Sequence, residues 1–215
     1  MNDTMNDTMN DRGPIPHDER ATERREIMRA AYRIFDRSAG KSSSVQDILD
    51  EAGLSTRAFY RHFRSKDELL ASMYRTASQR VTNELSAAAA AAEGPVEAFS
   101  AWVDLLLSVA YSPNRAVQAR VLTSTEALSS NAVAAARVET ELANTAVLIG
   151  ILQRGKLTGD FPRTEPVPDA RAVSSVVHSL VSARLAGEAG PSWTEAREHT
   201  VRLFSRSFGA SNGSE

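Results

Sequence analysis

The 215-residue sequence contains no cysteine, which excludes disulfide bonds, thiolate metal ligands and a nucleophilic thiol. It also lacks long apolar runs: the longest, around residues 87–92 and 146–152, are far shorter than the ~18 residues that a membrane-spanning helix requires. Residues 1–17 have no apolar segment of the kind found in a signal peptide. We therefore expect a cytoplasmic protein that does not contact a membrane.

Net charge is also small, at −2, but the charges are unevenly distributed. Residues 19–80 carry thirteen Lys and Arg against nine Asp and Glu, whereas residues 1–18 and 81–215 are both net negative. Phosphates close to a protein respond to its local field, because the Debye length is only ~8 Å. The basic segment therefore suits a polyanionic partner, although a solvated charged surface would show the same pattern.

Strand-like alternation of apolar and polar residues is absent, and apolar residues recur at helical spacing along most of the chain. Capping serines and glycines divide the pattern into separate segments. The sequence predicts an all-α protein of about nine helices. Residues 1–18 are expected to form a disordered tail, residues 19–65 a three-helix helix-turn-helix domain, and residues 66–215 a helical body.

The helix-turn-helix prediction depends on the segment DILDEAGLSTRAFYRHF, in which Gly-Leu-Ser joins two short helical segments. This arrangement is typical of a unit that places its second helix in a major groove, but also of an αα-corner without a ligand. The second segment favours DNA binding, because Phe59 and Phe63 supply a buried face and leave polar residues outside. From such a position an arginine can pair with the edge of a guanine, which is the commonest specific contact to a base. The outward residues are Thr56, Arg57, Ala58 and Arg61.

Lys66 lies in the first turn of the following helix, where the helix dipole disfavours a cation by roughly 0.3–1 kcal/mol. Asp67 and Glu68 beside it offset that cost, so a solvated lysine is one interpretation. A bound phosphate would interact favourably with both the lysine and the helix N-terminus. The pattern thus predicts a DNA-backbone contact at Lys66.

Residues 24–74 resemble the TetR family of bacterial transcriptional regulators, in the segments IMRAAYRIF, VQDILDEAGLS and FYRHFRSKDELL and in their spacing. Beyond residue 81 only the all-α layout is similar. The resemblance implies a repressor that releases its operator when an effector binds. It implies base contacts by Gln46, Thr56, Arg57, Ala58 and Arg61, and backbone contacts by Ser44, Tyr60, His62 and Lys66. Arg57 and Leu49 depart from the family pattern, which often has Gly or Pro at the first position and Ala at the second.

Two apolar helical faces in the body predict an internal site for a small apolar or amphipathic effector, although close packing of these faces is equally compatible with the sequence. One face belongs to the segment EAFSAWVDLLLSVAY. The other is formed by Leu142, Val147, Leu148, Ile151 and Leu152. Polar residues nearby could orient a ligand. The residues assigned to the pocket are Phe99, Trp102, Val103, Leu106, Thr125, Asn144 and Leu148.

The last two predicted helices carry further wide apolar faces. Family resemblance implies that these helices pair two copies of the chain into a two-fold homodimer, which would read a palindromic operator in double-stranded DNA. The same faces could instead belong to the core of one chain. The residues assigned to the interface are Val173, Val177, Leu180, Val181, Phe204 and Phe208.

No catalytic residue, metal site or cofactor is predicted. Glu195, Glu198 and His199 lie within about one helical turn but do not make a complete ligand set for a first-row metal. His178 lies among apolar residues, and the sequence contains no nucleophile elbow or phosphate-binding glycine loop. The alternatives to a ligand-responsive regulator are an architectural DNA-binding protein that responds to no effector and, with less support, an all-α enzyme.

Overall fold

The computed structural model describes residues 17–38 and 43–210, and this part of the chain folds into ten helices. Residues 1–16 of the expected tail and Gly40, which we expected to end the first helix, lie outside the described residues. The tail was predicted to extend to residue 18, but α1 already begins at His17. In chain order the helices are α1 His17–Ser38, α2 Val45–Ala52, α3 Thr56–His62, α4 Lys66–Ala91, α5 Pro95–Tyr111, α6 Pro113–Leu122, α7 Thr125–Leu128, α8 Asn131–Thr158, α9 Pro166–Leu185 and α10 Trp193–Phe208.

The all-α prediction is confirmed, and the helix count differs from nine at one place. A single helix was expected over residues 114–128, but the chain leaves helical geometry at Thr123 and Ser124. The Ser124 hydroxyl then accepts a hydrogen bond from the Ala127 backbone, which starts the short helix α7. A local cap thus divides a segment whose apolar periodicity continues across it.

Local signals also determine the turn between α2 and α3. Ser44 and Asp47 form a reciprocal capping box at the start of α2. Gly53 ends that helix with φ of +64°, a left-handed conformation that costs glycine little. The Leu54 N–H donates to the Leu49 carbonyl over 3.1 Å, as in a Schellman motif, before Ser55 caps α3. The Schellman bond and the Ser55 cap fix the direction in which α3 leaves the turn, and the capping box fixes the start of α2.

Two clusters of buried apolar residues hold the helices together. The first surrounds α1, α2 and α3 and includes Phe35, Phe59 and Phe63, but it also contains residues of α4, α6 and α8. We call the part built by α1–α3 the head and the remainder the body. The second cluster fills the body around Trp102 and the mutually packed rings of Phe99, Phe161 and Phe208. Because α4 and α6 contribute to the first cluster, they connect the head to the body.

None of the helices in the described ranges has the length and apolar character needed to cross a bilayer.

Candidate nucleic-acid interface

One side of α3 is exposed and the other is packed into the head. Phe59 is fully buried and Tyr60 is 59% exposed, so the first faces the core of the head and the second faces solvent. Thr56 and Arg57 are exposed on the outer side. No hydrogen bond or ion pair of the Arg57 side chain occurs within residues 17–38 and 43–210, which leaves its guanidinium available to an external acceptor. Ala58, also predicted to face bases, is buried with 3% of its surface exposed, so the structure does not present it on this side.

The two predicted contact residues at the start of α2 are exposed as well. Gln46 donates from its amide nitrogen to Asp50 over 2.7 Å, one turn further along the helix. Ser44 is engaged in the helix cap, where its backbone N–H donates to the Asp47 carboxylate over 2.7 Å. The hydrogen bonds from the Ser44 backbone and hydroxyl lower the pKa of Asp47, because they stabilise its charged form. The cap therefore keeps a negative charge beside the predicted DNA-backbone contact.

Glu23 of α1 holds the end of α3. Its two carboxylate oxygens accept from the Arg61 Nη2 at 2.8 and 3.0 Å, and one lies 2.9 Å from the His62 Nε2. Burial acts to raise the pKa of Glu23, but the hydrogen bonds and charges of His62 and Arg61 together outweigh it, and the pKa is lowered. Arg61 was predicted to reach a base and His62 the DNA backbone, yet both are bound to this carboxylate in the isolated chain.

Lys66 has protein partners rather than an open position. Its ammonium donates to the Ser43 carbonyl and to the Glu126 carboxylate of α7, and lies 5.4 Å from the centre of the Phe35 ring. Lys66 therefore connects α1, the segment that leads into α2, and α7. From the sequence we also expect Ser65 and Glu68 to form a capping box at the start of α4. Ser65 does accept from the Glu68 backbone, but the Glu68 carboxylate accepts from the Arg64 N–H and does not complete the box.

A cavity of about 200 Å³, partly open to solvent, lies in the body between α4, α5, α6, α8 and α9. Of the residues predicted to form a pocket, Leu106 and Asn144 line this cavity. The others do not: four are buried in close-packed core and Thr125 lies on the outside of α7. Leu142, expected to face the same pocket, is 64% exposed. The four residues in the core are Phe99, Trp102, Val103 and Leu148.

Several charged and polar groups line the cavity. The walls include three guanidiniums, of Arg80, Arg115 and Arg137, and one carboxylate, of Glu141. Arg115 donates from Nη2 to Glu84 over 2.6 Å, while its Nη1 is buried and has no hydrogen-bond partner among the described residues. Asn144 is held by two hydrogen bonds, with Thr82 donating to its side chain over 2.7 Å and Trp102 to its carbonyl over 3.1 Å.

The predicted dimer-interface residues divide into two groups. Val173, Val177 and Phe208 are fully buried in the core of the same chain, which is the alternative that the sequence left open for these positions. The others, Leu180, Val181 and Phe204, are half-buried. The large apolar residues that α9 and α10 expose most are Val167, Val176, Trp193 and Leu203.

Three charged residues of these sites had no signal in the sequence. Glu23 is one of several acids in a charged helix, and only the packing of α1 against α3 brings it to Arg61. Glu126 and Arg115 meet their partners across 60 and 31 positions of the chain. No local spacing rule relates residues so far apart, so these contacts could only come from the tertiary structure.

Two of the titratable residues considered for metal binding or catalysis, Glu195 and His178, make structural hydrogen bonds. Glu195 accepts from the Ser192 backbone over 2.8 Å in the cap of α10, and these bonds lower its pKa. His178 bonds through Nδ1 to the Ser174 carbonyl at 2.8 Å. Within the described residues, no group of three His, Asp or Glu is placed to hold a metal ion.

The head matches a known family. Residues 27–73 match the family of bacterial regulatory proteins named tetR. The HTH-type transcriptional regulator PksA of Bacillus subtilis is 32% identical over 71 residues, which cover 33% of this chain and 33% of that protein. The matches span no more than a third of the curated relatives' own length.

Two solved structures share the architecture of nearly the whole chain. A transcriptional regulator from Saccharomonospora viridis in complex with choline aligns with a TM-score of 0.71 and 20% identity, covering 85% of this chain and 95% of that one. The regulator FadR from Bacillus subtilis in complex with stearoyl-CoA aligns with a TM-score of 0.69 and 14% identity, covering 85% and 98%. At these identities the similarity shows a common fold.

Proposed function

Because the chain belongs to the TetR family of bacterial helix-turn-helix regulators, we propose that it is a sequence-specific, ligand-responsive transcriptional repressor. The family is not enzymatic, in agreement with the expectation of no catalytic residue. In this proposal residues 19–65 bind double-stranded DNA and residues 66–215 bind an effector and a second copy of the chain. The protein would act in the cytoplasm, where bacterial DNA is found.

The observation that carries the proposal is the exposed outer side of α3. A rigid turn positions this helix, its aromatic residues anchor it from below, and Thr56, Arg57 and Tyr60 project from it. Arg57 has the length and fork geometry to pair with a guanine edge, and no protein group in the described chain occupies it. Thr56 and Arg57 are therefore assigned to bases, and Tyr60 with exposed Ser44 to phosphates.

Gln46 and Arg61 join the base-contacting group only after they change partners. Gln46 is bound to Asp50, and Arg61 to Glu23. His62 and Lys66 are likewise engaged with protein carboxylates. A phosphate or base edge offers comparable charge-assisted hydrogen bonds, so an exchange of partners on DNA binding is chemically reasonable.

Effector binding is proposed in the internal cavity, with helix α6 as the link to the head. Leu122 of α6 lines the cavity and also belongs to the apolar cluster of the head, together with Val121. A ligand that displaces α6 therefore disturbs the packing under α1. To shift the protein from ~99% DNA-competent to ~99% released, the effector must prefer the released state by ~10⁴-fold. A site lined by five helices supplies such a preference more readily than a contact on a single surface.

The chemistry of related proteins leaves the effector open. One structural relative was solved with stearoyl-CoA and another with choline, which differ in both size and charge. The fold thus accommodates different small molecules, and the residues of each cavity must determine the selection.

Homodimerisation is proposed through the outer sides of α9 and α10. Val176 and Leu203 are 40% and 49% exposed there, beside half-buried Leu180 and Phe204. Val181, also assigned to the interface from the sequence, lines the cavity instead. A two-fold pair would cover these apolar groups and present two copies of α3 to a palindrome. Fully buried Val173, Val177 and Phe208 would support this surface from within rather than touch the partner.

DNA binding is tested by selecting bound fragments from genomic DNA with the full chain, followed by fluorescence anisotropy at fixed salt. We expect one palindromic sequence to bind at least ~10³-fold more tightly than random DNA, the lower bound for specific regulators. Equal affinity for all sequences would indicate the architectural alternative, and no DNA binding would refute both.

Dimerisation is tested by light scattering at micromolar concentration. The wild-type chain should have twice the monomer mass, and the double variant V176E/L203E should have the monomer mass with unchanged helicity. A matched change on an exposed polar site of the same helices, S175E/R202E, should leave the dimer intact. A wild-type chain that is monomeric would refute this part of the proposal.

A further inference from the structure

The wall of the internal cavity has an excess of positive charge. Its described lining contains Arg80, Arg115 and Arg137 against Glu141. Glu84 stands behind the wall and is shared, at 2.6 Å from Arg115 and 3.6 Å from Arg80. One carboxylate therefore serves two guanidiniums, and a positive charge remains even when Glu84 is counted with the lining residues.

Arg115 is the cationic group least satisfied by the protein. Its Nη1 is buried and has no hydrogen-bond partner in the described part of the chain, although the Nη2 of the same side chain donates to Glu84. A buried guanidinium nitrogen without an acceptor is unfavourable, because its proton has left water without a replacement. A carboxylate is the acceptor that best matches the geometry of a guanidinium.

The wall also carries apolar side chains. Helices α5, α6 and α9 contribute large ones, next to polar residues such as Gln118, His178 and Ser182. The apolar residues are Leu106, Val109, Leu122, Val181 and Leu185. A ligand that contacts both the guanidiniums and these side chains is amphipathic, with one anionic end.

Size and aromatic content narrow the class further. The cavity of about 200 Å³ is below the ~300–1,000 Å³ usual for ligand pockets, and a dry cavity of ~150 Å³ accommodates benzene. It therefore suits a small molecule in the conformation described. Tyr74 is the aromatic residue in its described lining, so the aromatic cage that recognises quaternary ammonium groups is not formed there.

We propose that the effector is a small amphipathic carboxylate whose anionic group pairs with Arg115 and whose apolar part lies between α5 and α9. This inference rests on the proposed function, since it specifies the ligand of that regulator. Arg80 and Arg137, which are exposed near the same wall, attract the anion toward the cavity.

The test compares three probes of similar length and different charge, octanoate, octan-1-ol and octylamine, by calorimetric titration into the full chain at fixed salt. Octanoate should bind at least about tenfold more tightly than octan-1-ol, the factor expected for a charge-assisted hydrogen bond, and octylamine more weakly than both. Equal binding of octanoate and octan-1-ol, or no octanoate binding, overturns the inference.

Two variants locate the charge. R115M, which replaces the guanidinium by an unbranched apolar side chain, should remove the preference for octanoate. R120M on the exposed side of the same helix should retain it. A preference that survives in R115M refutes the assignment to this residue. Should R115M fail to fold, as judged by circular dichroism, the ranking of the three probes with the wild-type chain decides the question alone.

The outcome is separable from that of the regulator proposal. Binding to the selected operator is measured on the same preparations by anisotropy. A chain that binds its operator specifically but ignores octanoate refutes the carboxylate inference and leaves the regulator standing. A chain that binds octanoate but no DNA refutes the regulator while the site in the cavity remains.

Discussion

Replacing Glu23 by glutamine should tighten operator binding. In the free protein Glu23 competes with DNA for Arg61, to which it is joined by two hydrogen bonds of 2.8 and 3.0 Å. If Arg61 reads a base, this ion pair must break each time DNA binds. Glutamine keeps the shape of the side chain and an oxygen for His62, but removes the charge that holds the guanidinium.

The expected magnitude follows from the burial of the pair. The Arg61 and Glu23 side chains are 27% and 15% exposed, so the pair is better shielded than an ordinary surface ion pair. Exposed pairs contribute ~0.2–1 kcal/mol, and we take the upper end, about 1 kcal/mol. Without that competing interaction operator binding should tighten about fivefold for each protomer, roughly 30-fold in Kd for the proposed dimer, while the free energy of unfolding of each chain falls by a similar ~1 kcal/mol.

The assay is anisotropy with the selected operator at several salt concentrations, beside urea denaturation. E26Q is the matched control, since Glu26 lies on the same helix and pairs with Arg29 at the surface. Both variants lose one negative charge, so any general electrostatic gain is common to them. If E23Q gains no more affinity than E26Q, or loses affinity, Arg61 does not have to leave Glu23 and its assignment to a base is wrong.

Three further outcomes are expected. R57A should weaken operator binding by ~1–3 kcal/mol and relax the base preference at a single operator position, without a change in Tm because Arg57 has no partner in the described chain. R171A, at an exposed position of α9, should change neither operator binding nor Tm. Uniform weakening on all sequences would assign Arg57 to the DNA backbone. Because the pKa of Glu23 is lowered in the folded chain, its contribution to stability is present above the ordinary glutamate pKa and is lost as the pH falls through the folded-state pKa. The acid denaturation curves of wild type and E23Q should therefore converge at low pH. Parallel curves would contradict this linkage between the Glu23 charge and stability. G155A should destabilise the chain by roughly 1–3 kcal/mol, because the new methyl group would overlap the Phe161 ring. G150A, with open space around it in the same helix, should stabilise the chain by up to about 1 kcal/mol. Equal changes of both variants in urea denaturation would show that the Phe161 ring moves to accommodate the methyl group.

The head could be predicted from the sequence because its signals are local. A serine cap, a left-handed glycine and a pair of aromatics four residues apart lie within a few positions of one another, and each has the same consequence in most proteins. These signals identified α2, the turn and α3. They did not show that Ala58 lies on the buried side, since alanine is compatible with either side of a helix.

The body could be predicted only as a set of helices. Apolar periodicity marks the side of a helix that is buried, but not which helix covers it or whether the contact leaves a void. Phe99 and Trp102 were assigned to a pocket on the same grounds as Leu106, yet the Phe161 and Phe208 rings pack on Phe99, and Trp102 donates to the Asn144 carbonyl. The cavity lies instead between α4, α5, α6, α8 and α9.

Charge gives a second reason why the body could not be predicted in detail. Arginines in an amphipathic helix are normally solvated, and Arg115 and Arg120 look alike when α6 is taken alone. The structure distinguishes them, because α6 turns Arg115 toward Glu84 of α4 and leaves Arg120 in solvent. The Arg115 side chain is 27% exposed, but its Nη1 is buried and lacks a hydrogen-bond partner among the described residues, whereas water can satisfy the guanidinium of Arg120. The capacity of α6 to recognise an anion therefore arises from its contact with α4, and a substitution such as E84Q would alter that capacity without touching the cavity wall itself.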